Sequence, residues 1–407
     1  MIYLRAIRNA PGITASAIPL YLPPDGTTVE TGLDKNVFFG AISMYLREKV
    51  PFLRNMPVFM DKLFDSAPML KIAARSAGTT RTEGLEEMTL NMIRGEKAFP
   101  EKELHRLLDY ITKDGKPDII HLSNALIIGL ARRIKEKLDV KIVCSLLNED
   151  DWIDEMAEPF KSGAWKLISN EASHVDAFIT PSNYFKELFF DRTGISGDNF
   201  HVVPLGFDPG DLSKIENRSS WPSIGYFCRI SSQNGFDKLI DAFIELKKGN
   251  DLPGLTLHVS GGYTGDDKPF IADQIRKIKT NGLKNSVRIY PEFQGNSKQE
   301  FFSNIDVMSV PVRKHDGYGL YILEANSAGV PVVQPATGAF PEIIEKTSGG
   351  ITYAPDSVSG LAENLLKLLM DNDLRIKLGK QGKEKVLTEL SLEKMSEGLS
   401  EVYNSIT

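Results

Sequence analysis

Cysteine is scarce: only Cys144 and Cys228 occur in 407 residues, each inside an apolar run. A disulfide scaffold and a cysteine-based zinc site are therefore excluded, and a reducing, cytoplasmic setting is expected. No apolar run approaches the roughly 18 residues that span a bilayer. The opening MIYLRAIRNA has neither the core nor the cleavage site of a signal peptide. Basic excess is missing too: 48 Lys and Arg face 54 Asp and Glu, a net charge of −6, which argues against a dedicated nucleic-acid binder. There is no internal repeat, no low-complexity segment and no G-x-x-x-x-G-K-[ST] phosphate loop.

What is present is ordinary globular composition, 42% hydrophobic and 25% charged. The length suggests about two to three domains. Short apolar runs of strand type recur at 13–22, 118–122, 141–147, 175–180, 201–205, 223–227, 255–260, 287–290, 306–312 and 330–335. Helical patterns lie between most of them, as at 124–138, 235–248 and 299–305. That alternation predicts an α/β protein with parallel sheets covered on both faces. The polar, Gly- and Pro-bearing stretch 206–223 breaks the rhythm, which places two doubly wound, Rossmann-like domains at 1–215 and 216–390. Residues 391–407 form a last helix expected to pack back toward the first domain. An α-helical insert is expected at about 35–113. Within 41–80 six basic residues outnumber three acids. A helical cap on the first domain is the favoured reading of that insert, and peripheral contact with a membrane surface or an anionic acceptor is the other.

Ligands of doubly wound sheets bind outside the carboxyl ends of the strands. Arg229 follows one such strand, Gly261-Gly262 another, and RKHDGYGLYILEA a third. Glycines there allow close backbone approach, and the amides of Gly319 and Leu320 at a helix start suit an anion such as phosphate. Gly317-Tyr318-Gly319 lacks the third glycine of a dinucleotide fingerprint, since Ile322 occupies that place. Glu324 falls among Leu320, Tyr321, Leu323, Ala325 and Ala328, where a carboxylate needs a hydrogen-bonding partner. A ribose diol would serve; a solvated acid on a half-exposed helix is the plain alternative. Asp316 lies near the same helix start, and a simple N-cap is its plain alternative. The acidic run 148–158 could hold magnesium, but acids at a helix start more often act as caps. Asp371-Asn372-Asp373, between two C-terminal helices, is expected to cap the second. His315 beside Asp316 is expected to be a solvated loop residue.

The segment DGYGLYILEANSAGVPVVQPATGAFPEIIE resembles the donor-site signature of glycosyltransferase family 4, retaining enzymes of the GT-B fold. Asp316 and Glu324 hold its two acid positions, Gly329, Pro331, Val332 and Val333 its strand, and Gly338 and Glu342 its turn. Gly225, Arg229 and Gly235 match the family's arginine segment, and Asp306, Pro311, Gly261 and Gly262 also fit. The resemblance covers 223–404 and, more loosely, 115–210. It implies two domains facing across a cleft, the first binding an acceptor and the second a nucleotide-diphosphate sugar. Glu324 would take the ribose hydroxyls, Arg229 and the Gly319 and Leu320 amides the diphosphate, and Asp316 the sugar. Gly261, Gly262 and Asn234 complete the implied donor site; Asp150 falls near the acid that such proteins place in the cleft after this strand, and with Asp316 and Arg229 it makes the implied catalytic set. The acceptor would be a carbohydrate, a lipid-linked molecule or a small molecule, as in cell-envelope polysaccharide synthesis. The leaving diphosphate would be stabilised without a metal or other cofactor.

Four departures accompany the resemblance. Asn234 stands where the family has lysine, Asp316 where it usually has glutamate, and Leu147 where a histidine is usual. The family's first strand and glycine-rich loop are missing, so Met1 is expected to be an internal methionine of a longer functional protein. The expected consequences are a run 13–22 lying beside the gap left by the missing strand or paired directly with 118–122, with nucleotide binding retained and sugar transfer poor. These departures make a non-catalytic nucleotide-sugar-binding scaffold the first rival reading. A GT-B sugar-nucleotide epimerase is the second, disfavoured by the Asp316 and Glu324 pair.

Overall fold

The computed structural model describes residues 2–8, 10–18, 20, 84–95, 101–113, 115–215, 222–249, 251–290, 295–314 and 317–407. They fall into two compact units: 1–181 with 185–203 and 396–407, and 182–184 with 204–395. The division therefore comes at Val203, some twelve residues before the expected place. The segment 41–80, with its membrane question, lies outside the described residues, as do Asp316 and His315. Among the described residues no helix is long and apolar enough to cross a membrane.

The first unit carries a four-stranded parallel sheet, β1 (Ile119–Leu122), β2 (Lys141–Ser145), β3 (Ala177–Thr180) and β4 (Phe200–Val202), in that spatial order. Around it lie α1 (Ile2–Arg8), α2 (Glu86–Arg94), α3 (Glu101–Thr112), α4 (Gly129–Lys135), α5 (Glu149–Ile153), α6 (Phe160–Glu171) and α7 (Asn183–Thr193). The two described helices of the 35–113 region, α2 and α3, bury Leu90, Ile93, Leu104, Leu107 and Leu108 in the core under the sheet. Phe178 stacks on Phe200 at 4.8 Å between ring centres, with Phe189 tilted against both. Each such ring contributes about 1.5–3 kcal/mol by leaving water.

The strand expected at 13–22 is not found: residues 13–18 and 20 carry no strand, and 21 and 22 lie outside the described residues. Nor do they pair with β1, whose only partner among the described residues is β2. The apolarity of this run goes into packing instead, with Ile18 and Leu20 half-buried against the core. Pro19, lacking an N–H, could not serve a ladder fully in any case.

The second unit carries β5 (Ser223–Phe227), α8 (Phe236–Gly249), β6 (Thr256–Ser260), α9 (Lys268–Thr280), β7 (Val287–Tyr290), α10 (Gly295–Ser303), β8 (Val307–Met308), α11 (Leu320–Ser327), β9 (Val332–Pro335), α12 (Phe340–Thr347), β10 (Gly350–Tyr353), α13 (Val358–Met370) and α14 (Asn372–Glu389). Its sheet is parallel in the order β10-β9-β8-β5-β6-β7. The chain runs outward from β5 through β6 to β7, then crosses back to β8 and proceeds the other way. β5 and β8, joined at Ile224–Val307 and Gly225–Met308, thus form the switch point of the sheet. The last helix, α15 (Leu392–Ile406), places residues 396–407 in the first unit.

Candidate functional site

At a switch point two loops leave neighbouring strands in opposite directions and open a crevice. Here these are the loops after β5 and after β8. The Arg313 N–H donates to the Gln233 carbonyl at 2.9 Å, which ties the two loops together, and Gln334 Oε1 on β9 accepts the Val310 N–H at 3.0 Å. Arg313 adds a two-pronged ion pair with Asp237.

Arg229 leaves the end of β5, and its guanidinium is held. Nε and Nη2 donate to the Asp267 carboxylate at 2.9 and 3.2 Å, and Nη2 also donates to Thr264 Oγ1 at 2.9 Å. Burial pushes the Asp267 carboxyl up, but the bonds from Arg229 and Thr264 outweigh it and hold the group below the usual carboxylate range. Asn234 turns inward: its Nδ2 donates to the Arg229 carbonyl at 2.9 Å, which also accepts from the Tyr226 hydroxyl at 2.8 Å. Gly261, at φ +124°, lies against the same turn, and a Cβ there would fall 2.0 Å from the Cys228 carbonyl oxygen. Gly262 accepts the Ile230 N–H at 2.9 Å. Arg229, Asn234, Gly261 and Gly262 are thus one constellation, and Asp267 and Thr264 belong to it.

α11 starts from Gly319, whose left-handed φ of +75° and tight fit against the Phe340 ring admit no side chain. The Gly319 N-cap brings no side-chain bond to this helix, and the positive end of the helix dipole lies at this start. Six of its eight residues are buried, leaving Leu320 and Glu324, four apart on one face, to reach solvent. The Glu324 carboxylate is not left to water. Lys298, on α10, donates to Oε1. Its ammonium also lies 5.6 Å from the centre of the Phe227 ring and 6.0 Å from that of Phe207. Glu342 accepts the backbone N–H groups of Asn183 and Tyr184, all within the second unit.

Asp150 belongs to the first unit, buried in the first turn of α5. Beside it Glu149 accepts the N–H groups of Ala125 and Leu147 at 2.9 and 2.7 Å. Burial pushes the Glu149 carboxyl up to about 7. His121 shares hydrogen bonds of 2.6 Å with the Tyr403 hydroxyl and with Ser145 Oγ, and burial pushes its imidazole down to about 4. Among the described residues no three His, Cys, Asp or Glu side chains converge as metal ligands would. Asp371, as expected, caps α14 by accepting the Leu374 N–H at 2.9 Å.

Two partners were missed from the sequence. Thr264-x-x-Asp267 is legible as a capping box, and both of its bonds form. That its acid also engages Arg229 is a tertiary fact. Lys298 left only an indirect signal, namely that Glu324 on an apolar helix face must meet a donor.

Comparison with known proteins bears on this geometry. Residues 213–385 match the family described as glycosyl transferases group 1, and residues 89–211 that described as Glycosyltransferase Family 4. The D-inositol 3-phosphate glycosyltransferase of Stackebrandtia nassauensis is 27% identical, over 55% of this chain and 53% of that protein. A GDP-mannose-dependent alpha-(1-6)-phosphatidylinositol monomannoside mannosyltransferase of Mycobacterium tuberculosis is 25% identical, over 48% and 50%. The chain thus spans about half the length of these curated relatives. Among solved structures, Anabaena HepE in complex with UDP superposes with a TM-score of 0.63 at 16% identity, over 80% of this chain and 98% of that one. Sucrose-phosphate synthase from Thermosynechococcus elongatus gives 0.62 at 17%, over 76% and 78%. At these identities the likeness concerns the fold, which is that of the GT-B glycosyltransferases.

Proposed function

Because the chain belongs to glycosyltransferase family 4, we propose that it transfers a sugar from a nucleotide-diphosphate sugar to an acceptor, with retention at the anomeric carbon. The observation that carries this reading is α11: a helix that starts from Gly319 beside the switch point, with a half-buried carboxylate one turn further on. The helix start suits a diphosphate, and Glu324 suits the vicinal hydroxyls of a ribose. Asp316 is assigned to the sugar hydroxyls, Arg229 to the diphosphate and Asp150 to the acceptor side. In the step, the bond from C1 to the phosphate oxygen breaks and a bond from C1 to the acceptor oxygen forms on the same face. The acceptor's proton leaves with the diphosphate. Charge gathers on the departing phosphate, where oriented amides and a guanidinium stabilise it. No metal or cofactor is assigned a role. The acceptor is proposed to be a carbohydrate, lipid-linked or small molecule, because two relatives are named for inositol-containing acceptors.

One observation favours a second reading, a nucleotide-sugar-binding protein without turnover. Arg229 is engaged by Asp267, and Asn234 brings no charge while spending its amide on the loop. Thermal-shift and calorimetric titration with nucleoside diphosphates and their sugars, followed by assay of donor consumption, separates the two. Binding with donor hydrolysis or transfer supports the transferase; binding with neither supports the scaffold. Glu324→Ala is expected to abolish nucleotide binding, and retention of full affinity would overturn the assignment of this site.

A further inference from the structure

Glu324 as a ribose acceptor would gain from being held in one place, and the structure supplies what holds it. Lys298 lies on α10 one turn before Phe301 and Phe302, at spacings of three and four residues, so all three share one face. Phe301 and Phe302 are fully buried and pack on Phe227 and on each other. That anchorage fixes the direction in which Lys298 leaves the helix. Its ammonium then meets the Phe227 and Phe207 rings and Glu324 Oε1 together, a cation set between two aromatic faces and one carboxylate. The side chains of Lys298 and Glu324 retain only 23% and 16% of their exposure, so the pair is too covered to be an ordinary surface bridge. No described residue donates to Oε2, whose lone pairs suffice for two hydroxyl donors.

We propose that Lys298 is a positioning residue that presets the Glu324 carboxylate for a vicinal diol and thereby sets the preference for ribonucleoside over 2′-deoxyribonucleoside diphosphates. The inference rests on the reading of Glu324 as the ribose acceptor. An unheld glutamate would rotate toward solvent, and the first hydroxyl to arrive would have to order it. It would also have to be covered by ligand while bearing an uncompensated charge. With the ammonium on Oε1, the carboxylate is already oriented and neutralised, and Oε2 faces the incoming hydroxyls. A ligand lacking the 2′-hydroxyl then leaves one prepared acceptor site unfilled.

The experiment is calorimetric titration of the full chain with ADP, GDP and UDP and their 2′-deoxy counterparts, taking the tightest-binding diphosphate as probe. The wild type is expected to prefer the ribo form about ten- to a hundredfold, the scale of a hydrogen bond to a charged group. Glu324→Gln is expected to reduce that ratio to within about threefold, and Lys298→Met and Lys298→Gln to do the same, on the same scale. Lys298→Arg should retain most of it. Binding of the deoxy form serves as the control for folding, since a merely structural role would weaken both ligands equally. An unchanged ratio in Glu324→Gln would overturn the reading of Glu324 itself. A collapsed ratio there, but an unchanged or increased one in both Lys298 variants, would overturn the role of Lys298 alone.

Discussion

Arg229 shows how a single side chain can be legible in kind and not in posture. Its place at the end of an apolar run marked it as a ligand-facing cation, but its capture by Asp267 comes from a residue 38 positions away. Asp267→Asn is expected to cost about 1–3 kcal/mol of stability, as a charged hydrogen-bonded pair is broken; urea unfolding measures it. The same pair predicts an acid-side effect. Because the folded Asp267 carboxyl is held below its ordinary value, its stabilisation is present above about pH 4 and is lost as the pH falls through the lower, folded value. Asn234→Lys should tighten nucleoside diphosphate binding by about 1–2 kcal/mol through its charge. It should also lower the stability of the free protein, because the bond to the Arg229 carbonyl goes; calorimetry and melting curves read the two separately. Gly261→Ala should be more severe than either. Its Cβ would strike backbone rather than a movable side chain, at a φ that other residues adopt only under strain of about 1–3 kcal/mol.

Elements were legible where hydrophobic periodicity was long. The strands at 223–227 and 255–260 and the helix at 235–248 appear within a residue of their expected bounds. Short or polar ones were not. The run 306–312 yields only Val307–Met308: the Ser309 N–H still meets the Gly225 carbonyl of β5, but the Val310 N–H goes to the Gln334 side chain rather than to a neighbouring strand. The edge strand Gly350–Tyr353 escaped notice because it is four residues long and a glycine and a threonine dilute its apolar signal. The helix expected at 124–138 starts as a 3₁₀ turn capped by Asn124 and becomes α only at Gly129. Caps were easier to read, since they depend on near neighbours. Asp371→Ala should lower the stability of the second unit by about 1 kcal/mol, with hydrogen exchange at the start of α14 reporting the loss.

For the molecule as a whole, two buried groups of the first unit pull stability in opposite directions with pH. His121, held near 4 when folded, binds its proton more readily unfolded, so stability rises with pH from about 4 to 6.5. Glu149, held near 7, binds its proton more readily when folded, so stability falls as the pH rises from about 4.5 to 7. Melting curves should therefore be flatter over this range than either group alone would make them. Glu149→Gln should unmask the rising limb, and a falling limb in that variant would sink the account. His121 also binds distant parts of the chain together, with Tyr3 edge-on to its ring at 5.5 Å and Tyr403 bonded to Nδ1. Tyr403→Phe should leave that nitrogen without its partner and destabilise the first unit by about 1–3 kcal/mol while sparing the second. During synthesis this arrangement has a cost in time. Residues 396–407 belong to the first unit, yet all of 204–395 must leave the ribosome before them. At about 5–20 residues per second, the nascent first unit waits roughly 10–40 s for residues 396–407, with His121 lacking its Tyr403 partner throughout.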